Sequence, residues 1–334
     1  MGKIYNIAKL SFASALHLGS GTGEEYDRSM RVLHSDTISA ALCSVCAANG
    51  NEVKPFLHSF RVSSAMPIYC GRLFLPLPLD KSCVKLIEAP DGSQHKRLKR
   101  LQWIEQPLWE RLSRKGSIEI SATMISACGT AVAVSDAKDI YISDAKDIYI
   151  QRQSLEQKVA VIDGEDNEPY YFDRIFWGKG IELGVLYECS DSASFKHTFS
   201  LLADSGFGTR RSVGNGVFDV AFSTVKIDVA EDTGGLQLMS LWLPKREEWD
   251  VKTMSNSCYE IVSRGGYMSG SSEVTQRNRI KKSVNMVTAG SIVATPSLEG
   301  DVVDVRPDGF EAHSVWRDGR AFYLPFVKLY GDEM

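Results

Sequence analysis

No apolar run in this 334-residue chain approaches the roughly 18 residues that a membrane-crossing helix needs. No hydrophobic signal core follows the opening Met-Gly-Lys-Ile-Tyr-Asn, and Asn6 breaks the myristoylation pattern. These absences point away from a membrane and towards a cytoplasmic location. An excess of positive charge is also missing: the formal net charge is −4, which excludes a uniformly basic nucleic-acid binder but leaves local basic patches open. There is no HD dipeptide, HxxE, GxSxG or DxD, so neither a metal nor another cofactor is expected. The seven cysteines are odd in number and scattered in apolar surroundings, as reduced core residues are. Cys43 and Cys46 form a CxxC, but they lie on a helical pattern with no second CxxC or paired histidines to complete a zinc site.

What is present is an ordinary globular composition, 43% apolar and 24% charged, in a chain long enough for two domains. Residues 3–13 alternate as a strand. A glycine turn follows at 17–23, then a helix over 35–49 with Ser35 as its N-cap. Residues 60–79 predict a hairpin turning near Gly71. A basic stretch at 95–104 predicts a short helix and its loop, and residues 94–115 sum to +5. Residues 135–142 are repeated identically at 143–150; this unit is far shorter than the ~20 residues of a solenoid repeat, so it predicts a tolerant hairpin or loop with two possible registers. Residues 170–186 alternate as strands, 192–204 place Phe195, Phe199 and Leu202 on one helix face, and 217–229 alternate again.

That order is the βαββαβ of a ferredoxin-like unit with insertions. Strand patterns at 236–243, 259–268, 283–294 and 321–329, with one weak helix near 247–254, predict a second, more degenerate unit. The expected fold class is therefore α+β: two tandem ferredoxin-like (RRM-like) units, residues 1–230 and 231–334.

The strongest chemical signal is Gly206-Phe-Gly-Thr-Arg-Arg-Ser-Val-Gly-Asn-Gly216. Its glycines let another backbone approach closely, exposed amides in such turns form nests for phosphate oxygens, and Arg210 and Arg211 supply guanidinium forks. Phe207 offers a ring on which a base can stack. The segment leaves a helix and enters a strand, the reverse of a P-loop, and it lacks the Gly-Lys-Ser/Thr ending. A polyanion contact is the reading that accounts for both the glycines and the arginines. The turn at 17–23 sets His17 beside glycines. A general-base role and a backbone or RNA contact are both open to it. A third cluster, residues 264–282, carries net charge +4 around an Arg-Gly-Gly-Tyr turn. The basic run at 96–100 reads either as a solvated face or as a further RNA contact.

A loop of the form G-F-G-x-x-x-S-x-G-x-G between the last helix and last strand of a ferredoxin-like unit resembles the hallmark of the RAMP superfamily of CRISPR proteins. Further stretches narrow the resemblance: His17-Leu-Gly-Ser-Gly, Ser35-Asp-Thr37, Ser63-Ser-Ala-Met-Pro-Ile-Tyr69, Leu73-Phe-Leu-Pro-Leu-Pro78, Lys96-Arg-Leu-Lys-Arg-Leu-Gln-Trp-Ile104, Arg264-Gly-Gly-Tyr267 and the segment from Lys281 to Ile292. Over residues 3–329 they are similar to the fourth-subunit family of type III-A Csm effector complexes.

The resemblance implies a non-catalytic subunit at the foot of the complex. Such a subunit caps the 5′ repeat-derived handle of the CRISPR RNA (crRNA), docks the large polymerase/HD-type signalling subunit and touches the first backbone RAMP subunit of the filament. It carries handle binding onto His17, Gly19, Gly21, Gly206, Phe207, Gly208, Arg210, Arg211, Ser212, Gly214 and Gly216. Arg264, Gly265, Gly266, Tyr267, Lys281 and Lys282 contribute from the second unit, and Lys96, Arg97, Lys99 and Arg100 from the basic run. Some relatives in the superfamily are metal-independent endoribonucleases that process CRISPR precursors, which keeps His17 as a general base in view as the alternative.

Overall fold

The computed structural model describes residues 2–19, 27–87, 94–134, 148, 150–160, 168–209, 211, 214–230, 233–268 and 279–327. The chain opens with β1 (Gly2–Phe12), α1 (Ser35–Ala48), α2 (Val53–His58), β2 (Phe60–Val62), β3 (Met66–Tyr69) and β4 (Arg72–Pro76). An insertion follows: β5 (Val84–Leu86), α3 (Gln94–Arg100), β6 (Trp103–Glu105), α4 (Gln106–Lys115), β7 (Ile118–Ile120), β8 (Ala131–Val132) and the paired β9 (Gln151–Ala160) and β10 (Glu168–Trp177). β11 (Ile181–Cys189), α5 (Ser192–Ser205) and β12 (Phe218–Asp228) complete this part.

The main sheet runs β12-β1-β11-β3-β4-β6-β8, with β2 also pairing β11. Taking β1, the β2–β3 stretch, β11 and β12 as the four core strands, the spatial order is 4-1-3-2, and α1 and α5 are the two crossovers. This is the expected ferredoxin-like arrangement, split by a long insertion between its second and third strands. Both helices cover one face, where Ile38, Leu42, Phe195, Phe199 and Leu202 are fully buried with Leu10, Val185 and Phe218. α5 begins on Asp191, whose carboxylate accepts the N–H groups of Ala193 and Ser194. The β3–β4 turn uses Cys70 and Gly71, both at positive φ, which suits a tight hairpin.

Two expectations need correction, and one strand went unread. Ser35 is not the N-cap of α1. His34 is, with no side-chain cap, because the Ser35 hydroxyl instead accepts the N–H of Leu241 at 3.0 Å. The basic stretch forms α3, but its continuation is β6 and then α4 rather than a loop. β9 carries no sequence signal of its own. It is polar on both faces and stays half-exposed, and only its ten-residue register with β10 reveals it. Most of the octapeptide tandem lies outside the described residues. Ile148 and Ile150 of its second copy are buried with Phe74, Ala131, Ala133 and Ile181.

After β12 the strands shorten. β13 (Gly234–Leu238), α6 (Val251–Ser255), β14 (Ile261–Arg264), β15 (Val284–Val287), β16 (Ile292–Val293), β17 (Val302–Asp304), β18 (Trp316–Asp318) and β19 (Tyr323–Val327) form three small sheets. β13 lies between β16 and β19. This part is fused to the other face of the main sheet: Met239, Ile292, Leu324 and Phe326 share one core with Ile7, Leu75, Trp109 and Leu186. Gln237 fastens the joint. It accepts the Trp109 indole N–H at 2.7 Å and donates to the Pro76 carbonyl at 2.8 Å, all three residues being buried.

Candidate nucleic-acid interface

The glycine-rich loop joins α5 to β12, beside the point where β1 ends, because Phe218 pairs with Phe12. Two of its glycines are required by close approach. A Cβ on Gly208 would stand 2.1 Å from the His17 carbonyl oxygen, and one on Gly216 would stand 2.0 Å from the Phe207 carbonyl oxygen. The loop therefore closes on itself through Phe207 N–H to Gly216 O (2.9 Å) and lies on the turn after β1. There Gly216 N–H donates to Ala15 O (3.0 Å) and Thr209 N–H to His17 O (3.2 Å). The two loops singled out in the sequence are thus one structure. Gly206 also sits against the Gly216 backbone, whereas Gly214 faces open space in a turn closed by Arg211 O. Arg211 is exposed; Gly21, Arg210 and Ser212 lie outside the described residues.

Phe207 is placed differently from the stacking role its ring suggested. It is 1% exposed and stacks on Phe218 at 5.1 Å, so it anchors the loop from below. His17 is also 1% exposed. Its ring stacks on Phe172, and its Nδ1 lies 2.7 Å from the Asp173 carbonyl, an acceptor, so Nδ1 carries the proton. That is the backbone-bonded reading of His17, and it gives the ring no open face for a general base.

β10 supplies the support that the sequence did not reveal. The Asp173 carboxylate accepts Ser29 N–H (2.9 Å) and Gln153 Nε2 (3.1 Å), while the Ser29 hydroxyl accepts Leu18 N–H (2.9 Å). Gly19 pairs with Ser29 as an isolated bridge. The next residue, Arg174, reaches Glu156 (3.1 Å) and Asn215 of the glycine-rich loop (3.4 Å). Two buried polar atoms here, Thr209 Oγ1 and Arg174 Nε, have no hydrogen-bond partner among the described residues. The inward Asp173, one turn of alternation from Ile175 and Trp177, was the available sequence signal: a carboxylate on a buried strand face demands donors.

The Arg-Gly-Gly-Tyr turn meets the same region through a buried charge cluster. Asp36, in the first turn of α1, accepts Arg264 Nε (2.9 Å) and Nη2 (3.0 Å), and Arg317 Nη1 bonds the same carboxylate. Arg264 Nη1 also lies 2.8 Å from the Met30 sulfur, just beyond the first loop. Arg317 donates to Gly265 O (3.0 Å), and Lys281 N–H to Gly266 O (2.8 Å). Burial pushes the Asp36 carboxyl up, but the Arg264 and Arg317 guanidiniums outweigh it and hold the group far below the usual carboxylate range. Burial and the neighbouring Arg317 lower the Lys281 ammonium to about 8, and burial with Arg264 lowers His34 to about 4. Arg264 is thus a structural clamp first. Tyr267 bridges Ile280, and Lys282 is exposed and paired with Asp308 at 2.6 Å. Lys96, Arg97, Lys99 and Arg100 are not part of this grouping. They lie exposed on α3, which leads into β6 near the opposite edge of the sheet from β12.

Residues 231–326 match the CRISPR Csm4 C-terminal domain family. The chain is 22% identical, across 384 aligned positions and 96% of both chains, to the "CRISPR system Cms protein Csm4" of Methanocaldococcus jannaschii. The chain is Csm4-like. Its fold agrees. It superposes on a chain of the crystal structure of the Csm3–Csm4 subcomplex of the type III-A CRISPR-Cas interference complex with a TM-score of 0.65, at 18% identity, covering 96% of this chain and 99% of that one. A chain of the Csm1–Csm4 cassette crystallised with cA4 gives 0.61 at 16% identity, covering 98% and 100%. Among the described residues no helix is long and apolar enough to cross a membrane, and no group of three potential ligands is arranged to hold a metal ion.

Proposed function

We propose that this chain is a non-catalytic, RNA-binding subunit of a type III-A CRISPR complex, capping the 5′ repeat-derived handle of crRNA. The observation that carries the reading is the seating of the glycine-rich loop on the turn after β1 through Gly208 and His17. It joins the two loops into one ledge with Arg211 exposed beside it. Thr209 Oγ1 and Arg174 Nε, buried there without a hydrogen-bond partner among the described residues, are donors of the kind that phosphate or ribose oxygens satisfy. Arg210 and Ser212 belong to the same loop and are assigned to the same contact, as is Gly21. Gly265, Gly266, Tyr267, Lys281 and Lys282 extend the surface from the C-terminal part, and Lys96, Arg97, Lys99 and Arg100 make at most a separate, peripheral contact.

Relatives of this fold crystallise with Csm1 and with Csm3. By that likeness the partners are a large signalling subunit and the first backbone subunit, in the cytoplasm. Residues 1–230 and 231–334 are assigned as two domains that fold around a shared core. The buried His17, with its Nδ1 proton held by Asp173 O, supports the non-catalytic reading. The test is equilibrium binding of a repeat-derived 5′ handle to wild type and to Arg210→Ala/Arg211→Ala across salt concentrations. Loss of two phosphate contacts should weaken binding and flatten the log–log salt slope by about 1.4. Unchanged affinity and slope would overturn the assignment.

A further inference from the structure

β12 is the edge of the main sheet, pairing only with β1 among the described strands. The direction of its free hydrogen-bonding groups follows from its last residues. Lys226 O accepts Gln106 Nε2 at 2.7 Å, and Asp228 N–H donates to Glu110 Oε1 at 3.0 Å. Both acceptor and donor belong to α4, outside the sheet, so the even-numbered residues of β12 point their backbone groups away from β1. α4 covers this edge at 226–228 and no further.

From Val220 to Thr224 the outward N–H groups meet no protein partner among the described residues, and the Thr224 carbonyl takes only the Ser223 hydroxyl at 3.2 Å. The usual devices that blunt such an edge are missing here: there is no proline or bulge, and the one lysine stands at the covered end. The side chains are also two-sided. Val220 and Phe222 are half-buried against α5, with Lys196 over the Phe222 ring at 5.6 Å, while Asp219, Ala221 and Ser223 are exposed on the other face. An open ladder takes an extended polypeptide. These two faces select an amphipathic strand, apolar towards Val220 and Phe222 and polar towards Asp219 and Ser223.

The occupant is further limited by position. β12 begins two residues after Gly216, so a strand laid on this edge starts beside the glycine-rich loop. We infer that the β12 edge is completed by a strand of the RNA-following backbone subunit, so that one segment of chain continues from the RNA ledge into the subunit contact. This rests on the reading of the chain as a subunit of a type III complex.

The test uses the full chain and the separately purified backbone-type subunit encoded with it. Proline at Val220 or Thr224 removes only an outward N–H, a substitution edge strands tolerate. Val220→Pro and Thr224→Pro should each weaken binding to that subunit by at least about 10-fold while leaving handle affinity unchanged. A second readout needs no variant. In wild type, the amides of Val220, Phe222 and Thr224 should exchange fast when free and slow by at least about 10-fold on adding the subunit, with Ala221 and Ser223 protected throughout. Equal binding by the proline variants with no slowing overturns the edge assignment and leaves the complex reading intact. Slowing caused by a second copy of this chain, seen as a dimer in sedimentation, overturns the choice of occupant. Failure of wild type to bind the subunit at all overturns both.

Discussion

Replacing Asp36 should test how the two parts of the molecule are held. Asp36 is 1% exposed and is, among the described residues, the one carboxylate on which Arg264 and Arg317 converge, both of them less than a tenth exposed. Arg264 ends β14 and Arg317 lies on β18, so two hairpins of the C-terminal part grip the first turn of α1. In Asp36→Asn the side chain keeps its shape but leaves two buried guanidiniums without a counter-charge. Breaking one side of such a cluster costs about 3–5 kcal/mol, a large share of the ~5–15 kcal/mol that keeps a domain folded. Urea unfolding followed by circular dichroism should show that loss at neutral pH as a lowered midpoint.

The pH dependence has a definite sign. The folded carboxyl titrates below its unfolded value of ~3.9, so its contribution is complete above that pH and is lost as pH falls towards the folded value. The gap between wild type and variant should narrow below pH ~4. A triple change, Asp36→Leu with Arg264→Met and Arg317→Met, should recover much of the loss, because it removes the uncompensated charges together. A loss under about 1 kcal/mol in Asp36→Asn, or a triple variant no better than the single, would refute the reasoning.

Gly208→Ala should cost at least about 2 kcal/mol in the same assay and weaken handle binding, since its Cβ meets His17 O at 2.1 Å; Gly214→Ala, at positive φ but in open space, should cost only about 1 kcal/mol. Lys281→Met should raise stability below pH 8, by about 1 kcal/mol, because the partly buried ammonium is disfavoured in the fold; the gain should fade as pH rises from 8 towards ~10.4, and handle affinity should fall. Gln237→Ala strips partners from the Trp109 indole and the Pro76 carbonyl and should cost about 2–3 kcal/mol without altering RNA affinity.

The ferredoxin-like frame was legible because its strands and helices keep clean periods. Phe195, Phe199 and Leu202 face one way, β12 alternates along most of its length, and β1 carries a mixed alternation. The two glycine loops were legible as a polyanion signal, but their contact through Gly208 and His17 was not, since backbone-on-backbone packing leaves no side-chain pattern. Polar residues fixed by distant partners were the hardest to read. Ser35 fits a cap in the sequence and serves Leu241 in the fold, and Arg264 fits a phosphate contact in the sequence and clamps Asp36 in the fold. Phe207 failed as a stacking platform for a related reason: an aromatic between glycines fits an exposed loop until Phe218 is brought beneath it. β9 lacked a signal because neither of its faces is buried along its length.

The central claim is that the ledge built by the glycine-rich loop and the turn after β1 holds the 5′ handle of a crRNA. Its most direct measurement is the affinity of the purified wild-type chain for two RNAs of equal length, one beginning with the repeat-derived handle and one with that handle scrambled, across several salt concentrations. The account predicts tighter binding of the handle-bearing RNA at every salt concentration, with affinity falling as salt rises. Equal affinity for the two RNAs, or no measurable binding to either, would contradict it.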